Sequence, residues 1–585
     1  MAENTLTINQ RTVQADGMTV DYHVPITADD GTVLRADVYR PVAAGRYPVV
    51  LSYGPYAKGL AFQEAYAPQW EKMVRDHPDV AANSTNKYQN WEVVDPEKWV
   101  PDGYVCVRVD SRGAGWSPGY MDVWSPLETR DIRDSVEWAA AQPWSNGKVG
   151  MCGISYYAIN QWLVAGLQPP HLAALVAWEG AADFYRDMTY HGGIHCLFAG
   201  NWYPLQVETV QYGLGERARK NPNTGESVAG NETLSPEQLK ANRADLGADI
   251  RAHPLDDRWH RERSAEWPKV RTPFLSAANW GGQGLHPRGN FDAFTEAAAE
   301  QKWLEVHGDS HWSLFYTDYG IALQKRFFDH FLKGLDNGWD REPRVQLQVR
   351  HVDRFVPRAE QEWPLARTRW TRLYLNSDGN RLQTEPVASA GTVVYDGLGD
   401  GADFSFTVEE DTEITGPMAA KLFVSSTTPD ADLFLVVRVF SPAGDEVVFQ
   451  GALDPNTPIA QGWLRASQRK LDSARSLPYR PYHTHDEIQP LTPADVYELD
   501  VEIWPSSIVV PAGYRVTLSV RGKDYEYGGE LDEFARNFHY AGRGCGPFVH
   551  TGAADRPEEI FGGRVTVHTG GDHGSYLLLP IIPGK

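Results

Sequence analysis

Between about residue 20 and residue 180, short apolar runs rich in β-branched residues alternate with stretches of helical periodicity. Tyr47–Tyr53, Tyr104–Asp110, Lys148–Gly153 and Leu172–Trp178 read as strands. Between two of them, Thr129–Gln142 carries Ile132, Val136 and the Ala139-Ala140 pair at helical spacing and reads as a helix. Strands alternating with helices predict a mostly parallel sheet covered on both faces. The rhythm resumes at Thr272–Ala278 and Lys302–His307, followed by an amphipathic helix near Ile321–Leu332. The interval 184–265 interrupts it with Arg, Asn, Glu and Trp and with weak helical patterns such as Pro236–Leu246, so it reads as an inserted helical cap. From about residue 345 the pattern is that of many short strands: Arg344–Val352, Thr371–Asn376, Met418–Ser425, Leu433–Phe440, Tyr497–Trp504 and Tyr514–Val520. Turns such as Asp378-Gly379 and Pro511-Ala512-Gly513 punctuate them, which suggests a β-sandwich of jelly-roll type. The expected division is a core at 1–183 and 266–343, a cap at 184–265 and a β-sandwich at 344–585.

Composition narrows the function. A chain of 585 residues exceeds what one core organises. The net charge of −22 argues against nucleic acid and anionic membrane as partners, since both call for a basic face. Four widely spaced cysteines form no C-x-x-C pair, which suits a reducing compartment. The N-terminus has no basic and apolar leader pattern, and no run approaches 18 apolar residues. A soluble, cytoplasmic protein acting on a small molecule is expected, with a homo-oligomer left open. No glycine-rich phosphate loop accompanies a strand, so no nucleotide or other cofactor is expected.

The chemistry concentrates at Lys148–Asn160. An apolar run ends at Gly153, Ser155 follows two residues later, and a helix-compatible segment begins at once. Such a strand, sharp turn and helix push a serine oxygen out of the backbone above the end of a sheet. The match to G-x-S-x-G is partial, because position 157 is Tyr. A serine needs a base. The stretch His307-Gly308-Asp309-Ser310-His311 lies just past the last expected parallel strand, and His311 is the better candidate because His307 still belongs to the strand.

Beyond these local signals, the chain resembles the serine hydrolase family that includes bacterial cocaine esterase, X-prolyl dipeptidyl aminopeptidases and α-amino-acid ester hydrolases. The residues that carry the resemblance are Asp30–Pro41, Gly54-Pro55-Tyr56-Ala57-Lys58, Asp110–Ser117, Gly153–Tyr157, the Ser310-His311 pair, Trp363-Pro364 and Leu373-Tyr374-Leu375. The resemblance implies an α/β-hydrolase core with a helical cap and a C-terminal jelly roll. It implies Ser155 as nucleophile, His311 as general base, and an oxyanion hole formed by the Tyr56 hydroxyl and the Tyr156 backbone N–H.

Two positions depart from the family. Ala158 replaces a glycine, and Gly282, in Asn279-Trp280-Gly281-Gly282, stands where the family has the aspartate of its triad. Glycine cannot orient an imidazole. Glu179, at the end of the strand after the nucleophile helix, is the favoured substitute. Asp183 and a Ser–His pair backed by water remain open, whereas Asp309 is too close along the chain to His311. The i, i+4 pair His191 and His195 encloses two glycines and lacks the H-E-x-x-H glutamate, so no metal is expected there. His191, Trp202, Trp280, His286 and Arg288 are instead expected to line the cleft between cap and core. The expected reaction is hydrolysis of an ester or amide, with an ester favoured, an X-prolyl peptidase or amidase second, and an inactive binding protein third.

Overall fold

The computed structural model describes residues 10–530 and 543–584. Thirteen strands serve the first part of the chain: β1 (Arg11–Ala15), β2 (Met18–Thr27), β3 (Val33–Pro41), β4 (Tyr47–Gly54), β5 (Val105–Asp110), β6 (Ser145–Ile154), β7 (Leu172–Trp178), β8 (Tyr190–His191), β9 (Ile194–His195), β10 (Phe274–Asn279), β11 (Lys302–His307), β12 (Val345–Arg350) and β13 (Phe355–Glu360). Eleven of them form one sheet in the order β1-β2-β3-β5-β4-β6-β7-β10-β11-β12-β13. From β5 to β12 every neighbour pairs in parallel, and antiparallel strands finish both edges.

Parallel strands are buried on both faces, and alternate residues sort accordingly. Leu51, Met151 and Leu175 pack with Ile132 and Val136 of the helix Pro126–Ala140 and with Trp162 of the helix Tyr156–Gly166. Val50, Cys152 and Val176 face the other way, towards Phe327 and Phe328 of the helix Asp318–Phe331. The sheet does not stop at the expected boundary of 344. Val345, Leu347 and Val349 of β12 pack beside Leu304 and Val306 of β11, so the first unit ends at about residue 360.

The interval 184–265 holds short pieces: a π-helical turn (Phe184–Thr189), the β8–β9 hairpin and several brief helices. The helix expected over Pro236–Leu246 is two helices, Pro236–Ala241 and Leu246–Ala252, each started by its own capping side chain, Ser235 and Asp245.

The second unit contains β14 (Arg369–Asn376), β15 (Arg381–Gln383), β16 (Gly391–Asp396), β17 (Ala402–Thr407), β18 (Thr412–Ser426), β19 (Asp432–Phe440), β20 (Ala460–Arg465), β21 (Tyr497–Val510), β22 (Arg515–Arg521), β23 (Arg564–Thr569) and β24 (Tyr576–Ile582). Pairing of β24 with both β14 and β18 closes them into a flattened barrel. Its two narrow links, one residue pair each, lie at β20–β21 and β15–β17. The interior is aliphatic, with Leu375, Leu422, Leu435, Val501 and Leu518 fully buried. Among the described residues no helix is long and apolar enough to cross a membrane. All four cysteines are buried and free.

Candidate active site

Ser155 sits between the end of β6 and the helix Tyr156–Gly166 with φ 56° and ψ −112°. Positive φ is costly for a residue with a Cβ, and surrounding contacts must hold it there. Two backbone bonds do so: the Ser155 amide donates to the Trp178 carbonyl at 3.0 Å, and the Ile154 amide to the Glu92 carbonyl at 3.0 Å. Space for the turn comes from Gly153 and Gly54. A Cβ at Gly153 would lie 2.3 Å from the Tyr157 Cβ, and one at Gly54 would lie 2.6 Å from the Tyr157 ring. Tyrosine fits at 157 because Gly54 on the facing strand leaves room for its ring. Positive φ also occurs at Ala57, Glu92, Glu179 and Asp309, on the segments that surround Ser155.

His311 and Ser155 line the same cavity. The Nδ1 of His311 lies 2.6 Å from Oε2 of Glu179, and both side chains are buried. Glu179 can stand in for the position vacated at Gly282 because β7 and β10 are neighbours. The Glu179 amide donates to the Ala277 carbonyl at 2.7 Å, which places it one strand spacing from the end of β10. Its φ of 49° turns the side chain across the sheet edge. The other oxygen, Oε1, takes His307 Nε2 at 3.1 Å and the Asn279 amide at 3.2 Å. His307 Nδ1 in turn faces Glu305 at 2.6 Å. Burial pushes the Glu179 carboxyl up, but the charge of His311 and the two imidazole hydrogen bonds outweigh it and hold it down at about 2. Glu179 is thus a carboxylate aimed at His311 Nδ1, which leaves Nε2 on the other side of the ring.

Sequence reasoning missed Glu92. It lies in the loop between β4 and β5, is buried, and places Oε1 at 3.4 Å from His311 Nε2 and 3.2 Å from the Trp312 indole nitrogen. Burial raises its carboxyl above the ordinary range. His311 is therefore flanked by two carboxylates, with the His286 ring stacked on it at 4.6 Å. Burial disfavours the imidazolium, but Glu179 and then Glu92 override it and raise His311 to about 9. A base must be neutral to accept a proton, so kcat/KM should climb with pH between 7 and 9. Glu92→Gln removes one of the two stabilising charges, so the rise should move to lower pH by about one unit. A profile that is flat over this range, or unmoved in the variant, would contradict this electrostatic picture.

The Tyr56 ring borders the same cavity, and its hydroxyl oxygen accepts from the Trp202 indole at 3.2 Å, leaving the O–H free to point inward. Burial keeps the phenol protonated, well above its ordinary titration range. The Tyr156 amide opens its helix, among the four N–H groups that no helical carbonyl takes. The cavity holds about 510 Å³, and Tyr66, Trp91, Phe198, Trp312 and Leu285 give it apolar walls. That suits a small, largely apolar ligand.

Trp202 and His286 line this cavity as expected; the other three predicted cleft residues do not. Trp280 is fully buried and donates to the Gln348 carbonyl. Arg288 is bound into a buried ion cluster with Asp187, Asp292 and Glu502, away from this cavity. His191 packs against the second unit, with its Nδ1 on His550. Asp183 is not near His311 either. It caps the π-helical turn through the Arg186 amide and pairs with the Arg186 guanidinium at 2.8 Å.

Known proteins give first the class and then individual relatives. Residues 30–313 match the X-Pro dipeptidyl-peptidase (S15 family) model, and residues 337–577 match the X-Pro dipeptidyl-peptidase C-terminal non-catalytic domain. A CocE/NonD family hydrolase from Staphylococcus aureus superimposes with a TM-score of 0.83 at 30% identity, covering 100% of this chain and 98% of its own. The chain belongs to this S15 and CocE/NonD family of serine hydrolases. It is 26% identical to the cocaine esterase of Rhodococcus sp. (strain MB1 Bresler) over 96% of this chain and 98% of the esterase. It is 22% identical to a putative Xaa-Pro dipeptidyl-peptidase of Rhodopirellula baltica over 82% and 79% of the two chains.

Proposed function

We propose that this protein hydrolyses carboxylic esters of small acids by acyl transfer through Ser155, on an α/β-hydrolase core braced by a jelly roll. The observation that carries the reading is the shared cavity of Ser155 and His311, with a buried carboxylate 2.6 Å from His311 Nδ1. His311 Nε2 takes the Ser155 proton as Oγ attacks the carbonyl; Glu179 fixes the tautomer and stabilises the imidazolium. The Tyr56 hydroxyl and the Tyr156 amide receive the oxyanion. The imidazolium then protonates the leaving oxygen, and water repeats the sequence on the acyl-enzyme. No cofactor enters these steps, and the cytoplasm suits the four free thiols.

Tyr56→Phe removes one oxyanion donor and should lower kcat about 10²- to 10³-fold with little change in KM. Parent-like turnover would remove Tyr56 from the reaction.

A second reading, an X-prolyl peptidase or amidase, needs a carboxylate to hold a substrate ammonium. Asp183 and Asp187 are committed to Arg186 and Arg288, which favours the ester. Glu92, the acid in the cavity wall, is what keeps the peptidase reading alive. The discriminating assay sets p-nitrophenyl acyl esters beside aminoacyl-prolyl p-nitroanilides. Efficient ester turnover with negligible anilide cleavage supports the esterase. Preference for the anilide, lost in Glu92→Gln, supports the peptidase.

A further inference from the structure

Apart from its sequence partner His195, His191 meets two other residues that can hold a cation. His191 Nδ1 lies 2.9 Å from His550 Nε2, across 359 positions of sequence. Cys196 joins them: one ligand atom from each of the three residues lies within 4.8 Å of the others, and all three side chains are buried.

The outer partners of the two rings decide what can lie between them. His191 Nε2 is 3.2 Å from the Asp187 carbonyl, and the Gly284 carbonyl also borders that ring. A carbonyl only accepts, so Nε2 carries the hydrogen and Nδ1 presents a lone pair. His550 Nδ1 is 2.7 Å from an Asp524 carboxylate oxygen, which likewise takes the hydrogen on that side and leaves Nε2 bare. Two lone pairs therefore face each other at 2.9 Å, and such a contact needs a positive centre between them. Cys196 supplies a third, soft donor within reach of the same point.

We propose that His191 Nδ1, His550 Nε2 and Cys196 Sγ bind a zinc-like divalent cation that staples the cap segment to the C-terminal unit. Two imidazoles and one thiolate are ligands that zinc accepts, with a fourth position for water. The Asp524 carboxylate and the Asp187 carbonyl are the outer-shell acceptors such histidines ordinarily have. A tetrahedral zinc holds two nitrogens roughly 3.3 Å apart, so the rings need part by only a few tenths of an ångström. On binding, Cys196 loses its proton to solvent and both histidines stay neutral.

The placement gives the cation a task. Leu197, next to Cys196, donates its amide to the Val549 carbonyl at 2.9 Å, and Val549 precedes His550. Phe198 and Val549 both line the Ser155 cavity. The cation would fix the two segments that form that wall while sharing no ligand with Ser155, His311 or Glu179.

The test uses the full-length protein freed of metal by chelation and dialysis. Titration with Co²⁺ should give one equivalent of tight binding with a thiolate-to-cobalt absorption band, and Zn²⁺ should displace it. Zinc should also raise the thermal unfolding midpoint of the stripped protein. Cys196→Ser, whose fold is checked by circular dichroism, should lose the absorption band. Asp524→Asn should keep the band but weaken affinity about 10- to 100-fold. Absence of stoichiometric binding to the parent chain, or a cobalt spectrum unchanged in Cys196→Ser, overturns the site and assigns the His191–His550 contact to a shared proton.

Discussion

Ser155→Ala is expected to lower kcat for an activated ester by about 10⁵- to 10⁶-fold, because every covalent step passes through that oxygen. The substitution is structurally mild. The strained φ of 56° is held by the Ile154 and Ser155 amides, which alanine retains, and the lost oxygen faces a cavity. Stability should therefore stay within about 0.5 kcal/mol of the parent. Residual rates come from substrate binding and oxyanion donors acting on water. Activity above about one part in a hundred would mean a different nucleophile.

Glu179→Gln should be the next most damaging change, with a loss of about 10³- to 10⁴-fold in kcat. Glutamine is nearly the same size, so the cost lies in charge and tautomer. Its carboxamide cannot accept from both His307 and His311 while also stabilising an imidazolium. The comparison belongs at each protein's own alkaline plateau, since losing the carboxylate also lowers the His311 titration. Because Glu179 is fully buried between two imidazoles, its removal also leaves donors unsatisfied. A thermal unfolding scan separates the two effects: a folded protein with parent-like KM and collapsed kcat is the expected combination. Turnover close to that of the parent would show that His311 works without this acid.

What could be read from the chain follows from how local each signal is. The Ser155 turn was legible because strand, turn and helix lie within a dozen consecutive residues. Glu179 was legible for a related reason: a carboxylate finishing an apolar strand must find a partner, and the order β7-β10-β11 brings the loop after β11, with His311, to it. Glu92 left no such trace. It comes from the long connection between β4 and β5, in which short helices alternate with irregular stretches, and it is held beside His311 by Trp312 and by the backbone bond to Ile154. His550 was equally invisible, since its partner lies on the cap hairpin. The boundary at 344 misled because β12 alternates apolar and polar residues like an antiparallel strand, although it pairs in parallel with β11. Arg288 and Trp280 showed only residue types suited to a cleft. Their burial is set by Glu502 and Gln348, far along the chain.

The central claim is that Ser155 is a nucleophile activated by His311. Labelling with a fluorophosphonate, followed by peptide mass mapping and a rate measurement, tests it most directly. The expected result is a single adduct on Ser155, formed about 10³-fold more slowly in His311→Ala. An adduct on another residue, or a labelling rate indifferent to His311, would contradict the account.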